Sequence, residues 1–228
     1  PDAMEEAWKL FRKTAYSSLY SYPRFTWQTV IPDQRRISKI DLSDDYLQAI
    51  RLYASCADEL KSSELYRNDL IEFVSYYVAA KAENFYKQAL KDDSENRVLA
   101  AQRNLQQTVD LLMDVDRLLA SHPLYRLEEW VELARNSGTT LQEKDAYEAN
   151  AKRLITSWGG IQEDYAARFW SGLIKDYYIP RIQLYFTKDR DKIREWEEQW
   201  ITSPWSNSTT PFDDPVKAAL NLIEKTNK

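Results

Sequence analysis

The feature that most restricts the fold of this chain is a long segment with helical periodicity and neither glycine nor proline. It runs from about Ser63 to Leu90, and its apolar residues recur every three or four positions, as they do along the buried side of an α-helix. At about 1.5 Å of rise per residue, this helix would be roughly 40 Å long. Its apolar side needs other helices to cover it.

The composition of the whole chain agrees with an all-α fold. Only four of the 228 residues are glycine, while 29% are charged and 43% hydrophobic. Glycine costs about 1 kcal/mol in a helix interior, so its scarcity favours helices. A chain of 26.9 kDa is long enough to bury a sizeable core without disulfides. The sequence therefore predicts a bundle of about seven to eight helices.

The helical patterns divide the chain into four parts of one all-α domain. We predict a first helix within residues 1–20, a main bundle over residues 43–202, and a C-terminal tail with a last helix over residues 203–228. Residues 21–42 lack a helical period and contain two prolines, so we predict an extended linker there. A linker of this length is expected either to pack over the surface or to have a function.

Local signals mark where several helices begin and end. Thr140 and Glu143 have the spacing of a capping box, in which each side chain accepts a hydrogen bond from a backbone N–H group. Asp214 followed by Pro215 is typical of the start of a helix. Gly138 is expected to end the helix before the capping box in the left-handed conformation that glycine adopts readily.

One long helical pattern, over residues 162–200, contains a proline. The apolar positions predict a single helix across this range. Pro180 lacks the N–H group that an interior helical residue donates, so it must kink or split that helix.

The charge of the chain excludes one class of partner. The formal net charge is −5 and the pI is near 5.2, whereas nucleic-acid binding needs a dense basic surface. The sequence has no run of 18 apolar residues, so it predicts no membrane span. Because it begins at Pro1 and not at a methionine, we expect a fragment of a longer polypeptide, and a signal peptide could lie in the missing part.

No set of residues predicts a metal site, a cofactor site or a catalytic centre. His122, the single histidine, precedes a proline at a helix junction, where we expect a cap or a spacer. We expect Cys56, the single cysteine, to be a small buried residue. The sequence has no phosphate-binding glycine loop, no nucleophile motif and no HExxH motif. We therefore assign no catalytic, metal-binding or cofactor-binding residue.

The 36 acidic residues do not identify a catalytic pair either. Three acidic groups fall at polar positions of predicted helices, where a solvated helix surface is the simplest expectation. These groups are Glu128 with Glu129, Glu163 with Asp164, and Glu195 with Glu197 and Glu198.

Aromatic residues make up 13% of the chain, with 15 tyrosines and 8 tryptophans. We expect most of them to fill the space between long helices. The alternative is that some line a ligand surface, because a flat ring with a polar edge suits carbohydrate binding.

The sharpest break in the helical pattern is the turn Trp158-Gly159-Gly160. Two glycines allow the backbone to turn tightly. They place Trp158 at the end of one predicted helix and Tyr165 in the first turn of the next. Exposed rings at such a junction can stack on a sugar and hydrogen-bond its hydroxyl groups. On spacing alone, this turn is equally consistent with a ring that closes the end of the bundle.

Several motifs around this turn resemble one known family. The similarity covers nearly the whole chain and is strongest from about residue 105 to residue 186. The motifs are 112–121 (LMDVDRLLAS), Trp130, 145–151 (DAYEANA), 154–160 (LITSWGG), 164–166 (DYA), 170–174 (WSGLI) and 176–181 (DYYIPR). In this order they resemble the C-terminal helical domain of α-N-acetylglucosaminidases, glycoside hydrolase family 89.

The resemblance implies a larger enzyme of which this chain is one domain. The family has a (β/α)8 barrel that carries two catalytic glutamates, a nucleophile and a general acid/base for retaining hydrolysis. The resemblance places the barrel outside this chain, as the partner on which the helical domain packs. It also places Trp158 and Tyr165 at the pocket for a terminal N-acetylglucosamine, with Ile161 as a third contact. The linker 21–42 resembles its counterparts poorly.

Two functions follow from these patterns. The first is the C-terminal domain of an exo-acting α-N-acetylglucosaminidase-like glycoside hydrolase, with a terminal α-linked N-acetylglucosamine glycan as substrate and no catalytic carboxylate of its own. By resemblance, that enzyme belongs to a secreted, periplasmic or lysosome-like compartment. The alternative is a non-catalytic helical module that docks onto a protein or a glycan.

Overall fold

A computed structural model describes residues 2–17, 24–29, 44–158, 164, 166–187, 189, 191–206 and 208–227. The all-α prediction is confirmed, since the described residues form ten α-helices. The helices are α1 (Asp2–Lys13), α2 (Asp44–Ser55), α3 (Ala57–Leu60), α4 (Glu64–Ser94), α5 (Val98–Leu119), α6 (Leu127–Asn136), α7 (Leu141–Leu154), α8 (Ile179–Phe186), α9 (Asp191–Thr202) and α10 (Pro215–Lys225). Among the same residues, no helix is long and apolar enough to cross a membrane.

The two longest helices, α4 and α5, form the centre of the bundle. The predicted long helix is confirmed, although α4 continues to Ser94 instead of ending near Leu90. Asp92 near the end of α4 accepts hydrogen bonds from Arg97 and from Asn104 of α5. Around this pair, α10 packs on α4, α1 packs on α2, and α7 packs on both α6 and α9.

The aromatic residues mainly fill the core, as expected. Phe11 of α1 stacks on Phe73 of α4 with 4.1 Å between ring centroids. Tyr53 of α2 stacks on Tyr66 of α4 at 4.9 Å. Rings of this size cover the wide gaps between long helices, and each pair adds about 1 kcal/mol beyond the area that it buries.

The predicted helix starts are confirmed. The Thr140 hydroxyl accepts a hydrogen bond from the backbone N–H of Glu143 at 3.1 Å, and the Glu143 carboxylate accepts one from the backbone N–H of Thr140 at 3.0 Å. Asp214 accepts from the backbone N–H of Lys217 at 2.9 Å and begins α10. Both starts satisfy N–H groups that a helix leaves unpaired in its first turn.

The predicted left-handed conformation of Gly138 is wrong, because among the described glycines only Gly172 has a positive φ, at 83°. The backbone at Gly138 instead passes very close to the next helix. A Cβ atom built there would lie 2.7 Å from the backbone nitrogen of Lys144. The tight turn between α6 and α7 therefore requires glycine, because there is no room for a side chain at this position.

The predicted single helix over 162–200 is wrong in two places. Residues 166–170 are not helical, because their carbonyl groups are engaged elsewhere: Arg24 donates to the Ala166 carbonyl and Tyr178 to the Arg168 carbonyl, both at 2.9 Å. The second break lies between α8 and α9, where the Thr187 N–H turns back to the carbonyl of Leu184.

The expected irregularity at Pro180 takes the form of a π-helical turn, Ile174–Tyr178, that continues directly into α8. In the wider turn, the N–H of Ile179 reaches the carbonyl of Ile174, five residues earlier. Pro180 then occupies the first turn of α8, where a missing N–H group is tolerated.

The structure describes residues 24–29 of the predicted linker 21–42, and this part is buried in the bundle. Thr26–Gln28 forms a short 3-10 turn. The side chains of Phe25 and Trp27 are inaccessible to solvent. Glu83 of α4 accepts hydrogen bonds from both the backbone N–H and the hydroxyl of Thr26. For these residues, packing over the surface is the wrong expectation, because a buried carboxylate supplies their backbone with a partner.

Asp116 of α5 is a buried carboxylate that ties two further segments, residues 171–175 and the segment around Thr209, to the central helices. It accepts hydrogen bonds from the backbone N–H groups of Gly172 at 2.8 Å and Lys175 at 3.1 Å, and from the hydroxyl groups of Ser171 and Thr209. Burial raises the pKa of this carboxyl, and these hydrogen bonds oppose the rise.

We predict that Asp116→Ala lowers the free energy of unfolding by about 3 kcal/mol, because it leaves several buried donors without an acceptor. Urea unfolding followed by circular dichroism measures the loss. Asp114→Ala is the matched control on the same helix, since Asp114 forms an exposed pair with Lys225 and should cost less than about 1 kcal/mol. Equal losses in the two variants would contradict the role of Asp116.

We predict that the capping box at α7 titrates far below the usual range of a glutamate. Hydrogen bonds from the Thr139 hydroxyl and from the backbone N–H groups of Thr140 and Thr139 lower the pKa of Glu143 from 4.5 to about 2. A lowered pKa in the folded state means that this carboxylate stabilises α7 fully above pH 4.5, and that the stabilisation is lost as the pH falls towards 2.

An NMR titration of the Glu143 carboxyl carbon checks this prediction. Amide exchange at the start of α7 should accelerate over the same pH range. In Glu143→Gln, whose side chain does not ionise, that acceleration should be absent. A titration midpoint near pH 4.5 in the unsubstituted chain would contradict the prediction, because it would show that the capping box does not stabilise the ionised form of Glu143.

Candidate functional site

Trp158 is an exposed ring at the end of α7. The helix proper ends at Leu154, and residues 155–158 continue as turns. Ile155 and Thr156 are buried and anchor this turn, the latter through a hydrogen bond from its hydroxyl to the carbonyl of Lys152 at 2.7 Å. Trp158 itself is 59% exposed. It therefore does not close the end of the bundle as a buried plug.

The other two predicted contacts, Ile161 and Tyr165, lie outside the described residues, as do residues 159–163. Their assignment stays a prediction. Asp164 and Ala166, on either side of Tyr165, are described, and neither is helical.

Arg24 holds the chain where it leaves this turn. Its guanidinium group donates to the carbonyl groups of Asp164 and Ala166, both at 2.9 Å, and forms an ion pair with the Asp164 carboxylate at 2.7 Å. Asp164 also accepts a hydrogen bond from the N–H of Ala166 at 3.0 Å. A planar guanidinium with several donors fixes both position and orientation, which a single lysine ammonium would not.

Arg181 of α8 is the second cation at this place, and it is buried. It donates to Glu197 of α9 at 2.9 Å, lies 3.5 Å from the Asp164 carboxylate and donates to the carbonyl of Gln28. Burial alone would lower its pKa, but attraction from Tyr177, Asp164 and Glu197 raises the pKa above its usual value. The guanidinium therefore stays charged and joins four segments, which are α8, α9, residues 24–29 and the segment around Asp164.

Two carboxylates assigned to solvated helix surfaces are instead part of this network. Glu197 is buried between Arg181 and the hydroxyl of Tyr177, which donates to it at 2.7 Å. Asp164 is largely buried between Arg24 and Arg181. The expectation fails at these positions because the cations come from other segments, Arg24 from 140 positions before Asp164 and Arg181 from the helix before the one that carries Glu197.

A second buried network fixes the C-terminal half of α7. The ammonium group of Lys152 lies 3.0 Å from Glu148 and donates to the carbonyl groups of Trp200 and Ser203. Burial lowers the pKa of Lys152, and Glu148 opposes that change. The next residue, Arg153, forms a bidentate pair with Glu198 of α9. These contacts hold the base of the turn that carries Trp158.

The buried carboxylates of the described residues serve as structural anchors. Glu83 accepts from the backbone, Asp116 from four donors, and Glu148 and Glu197 pair with cations. An acid/base pair for glycoside hydrolysis needs carboxyl groups that are free to exchange protons and to approach a substrate. The described carboxylates that are held in this way do not offer such a pair.

The lone histidine and cysteine have structural surroundings. His122 is buried, and its Nδ1 atom accepts a hydrogen bond from the N–H of Leu124 at 3.0 Å, as expected of a cap. Burial lowers its pKa. Cys56 is buried, as expected. The described residues contain no group of three His, Cys, Asp or Glu side chains that could hold a metal ion.

The chain matches known proteins along nearly its whole length. Residues 1–225 match the family described as alpha-N-acetylglucosaminidase (NAGLU) C-terminal domain. Human alpha-N-acetylglucosaminidase is 29% identical over 154 residues, which are 66% of this chain and 21% of the human protein.

Solved structures share the fold. A family 89 glycoside hydrolase from Clostridium perfringens in complex with PUGNAc superposes with a TM-score of 0.83 at 22% identity, covering 97% of this chain and 29% of that one. A variant of a Clostridium perfringens family 89 enzyme in complex with its substrate, GlcNAc-alpha-1,4-galactose, also has a TM-score of 0.83, at 21% identity over 98% of this chain and 29% of that chain.

The chain spans about a fifth of the human relative and less than a third of the solved bacterial chains. Its similarity to them concerns a single helical domain of much longer proteins. Because the family match covers all but the last three residues, the chain belongs to the family of α-N-acetylglucosaminidase (NAGLU) C-terminal domains.

Proposed function

We propose that this domain completes the sugar pocket of an exo-acting α-N-acetylglucosaminidase-like enzyme and supplies no catalytic carboxylate. In this proposal, the domain packs on a (β/α)8 barrel of the same polypeptide, and that barrel carries the two glutamates of a retaining mechanism. The substrate is a glycan that ends in α-linked N-acetylglucosamine. A secreted, periplasmic or lysosome-like compartment suits such a substrate.

The observation that carries the proposal is an exposed ring on a rigid base. Trp158 is more than half exposed, yet the turn below it is anchored by Thr156, Lys152 and the Arg153–Glu198 pair. Downstream of the same turn, Asp164 is held by Arg24 and Arg181. A preorganised ring loses little freedom when a sugar stacks on it, which favours binding. In the proposal, Ile161 and Tyr165 line the same pocket.

The exposed side of α7 supports a second domain as the neighbour. Tyr147 and Leu154 are seven residues apart, two turns of helix, and therefore lie on one side of α7. They are 44% and 41% exposed, and Trp158 lies four residues after Leu154, beyond the end of the helix. A row of exposed apolar side chains is typical of a surface that another domain covers. The barrel would cover this row and meet the sugar at its Trp158 end.

We predict that Trp158→Ala in the full-length enzyme lowers kcat/KM for an aryl α-N-acetylglucosaminide roughly thirtyfold, because a central aromatic contact is lost. This factor corresponds to a loss of about 2 kcal/mol of transition-state stabilisation. Steady-state kinetics measure the change. The melting temperature should stay the same, since an exposed ring contributes little to the core. Trp158→Phe is the matched control and should recover most of the activity, because it keeps a flat ring. Unchanged kinetics in Trp158→Ala would remove Trp158 from the pocket.

We also predict that the 228-residue chain alone hydrolyses no aryl α-N-acetylglucosaminide, because its buried carboxylates are held in structural networks. The measurement is a long incubation of the purified chain, with the full-length enzyme as the positive control. Activity that persists through purification and disappears on replacement of one carboxylate in this chain would contradict the proposal. A barrel encoded directly upstream would support it against the alternative of a stand-alone interaction module.

A further inference from the structure

A cavity lined by tryptophans lies between α9, the π-helical turn and the segment that follows α9. We call it the tryptophan cavity, and its walls include Trp196, Trp200, Trp205, Asp176, Lys152 and Ser206. Its volume is about 270 Å³, close to the lower end of small-molecule sites, which begins at about 300 Å³. It therefore has room for a ligand of the size of one sugar ring.

The aromatic walls of the tryptophan cavity are held rigidly from behind. Tyr177 packs against Trp196 with 5.7 Å between ring centroids and against Trp200 with 4.8 Å. The hydroxyl of Tyr177 is in turn hydrogen-bonded to Glu197 and receives a hydrogen bond from Arg181. Trp205 is fixed by a hydrogen bond from its indole nitrogen to Asp176 at 3.1 Å. Such preorganised rings are suited to stacking against the C–H face of a ligand.

The charges around the cavity favour a neutral ligand. Lys152 brings one positive charge, but its ammonium is already bonded to Glu148, Trp200 and Ser203, and it lies 5.1 Å from the centre of the Trp200 ring. A second cation on that ring would be repelled. Asp176 brings one negative charge, which would repel an anion.

Asp176 also offers the cavity a hydrogen-bond acceptor. One of its oxygens binds Trp205, and the other lies 4.0 Å from the ammonium of Lys175, beyond hydrogen-bond length. A carboxylate oxygen of this kind accepts hydrogen bonds from hydroxyl groups. Flat rings, a partly free acceptor and balanced charges together suit an uncharged polyhydroxylated ring.

We propose that the tryptophan cavity binds a neutral saccharide. This site lies on α9 and the π-helical turn, and none of the residues assigned above to the N-acetylglucosamine pocket lines it. The inference rests on the cavity and not on the proposed function, so either can fail while the other holds.

Saturation-transfer difference NMR with the 228-residue chain tests the proposal. The probes are N-acetylglucosamine and galactose as neutral sugars, with protonated glucosamine and glucuronate as charged comparators. We expect saturable binding of a neutral sugar with a Kd on the order of 1 mM. Both charged sugars should bind at least tenfold more weakly.

Three variants locate the site. Ser206 is exposed, so Ser206→Trp should fill the cavity without disturbing the core and weaken binding at least tenfold. Trp196→Ala should have the same effect, and if it fails to fold, Ser206→Trp decides alone. Trp158→Ala should leave this binding unchanged, because Trp158 does not line the cavity.

Three outcomes would overturn the proposal. One is the absence of saturable binding up to roughly 50 mM of either neutral sugar, fifty times the expected Kd. Another is unchanged binding in Ser206→Trp. The third is loss of binding in Trp158→Ala alone, which would assign the sugar to the turn after α7 and support the proposed function instead.

Discussion

The guanidinium group of Arg181 is buried where four segments of the chain meet. It contacts the carbonyl of Gln28, the carboxylate of Asp164, the hydroxyl of Tyr177 and the carboxylate of Glu197. A buried charge is costly unless its partners compensate for the water that it loses. Here two carboxylates do so, and the geometry of the guanidinium requires all four segments to be in place at once. The linker, the turn after Trp158 and helices α8 and α9 are thus fixed together.

Much of the fold could be predicted because its signals are local. Helical periodicity predicts α4. Thr140 and Asp214 predict the starts of two helices, and each side chain accepts a hydrogen bond from a backbone N–H group only three residues later. The predictions that are wrong concern residues whose structure depends on contacts far away in the sequence. Residues 166–170 are non-helical because Arg24, more than 140 positions earlier, takes the Ala166 carbonyl. Thr26 is buried because of Glu83 on α4. The two residues of each pair are too far apart in the sequence for a local pattern to predict their contact.

The candidate site likewise has features that the sequence predicts and features that only the folded structure shows. Two glycines at the end of a periodic pattern predict the break after α7, whereas spacing alone leaves the exposure of Trp158 open. The assignment to a sugar pocket came from the resemblance to a family, and the match over residues 1–225 supports that family. The tryptophan cavity had no such signal, because Asp176, Trp196 and Trp205 become neighbours only after the chain has folded. Ile161 and Tyr165 stay predictions.

The π-helical turn sets the register of everything that follows it. Ile174–Tyr178 holds one residue more per hydrogen-bonded ring than an α-helix does. If the same residues formed an α-helix instead, α8 would be rotated by about the angle of one residue, roughly 100°, relative to the residues before it, and Arg181 would point away from Glu197. The wider turn therefore accommodates one residue while Arg181 keeps its direction. A related chain that is one residue shorter between Gly172 and Arg181 could accordingly keep the same core, with a regular α-helix in place of the wider turn.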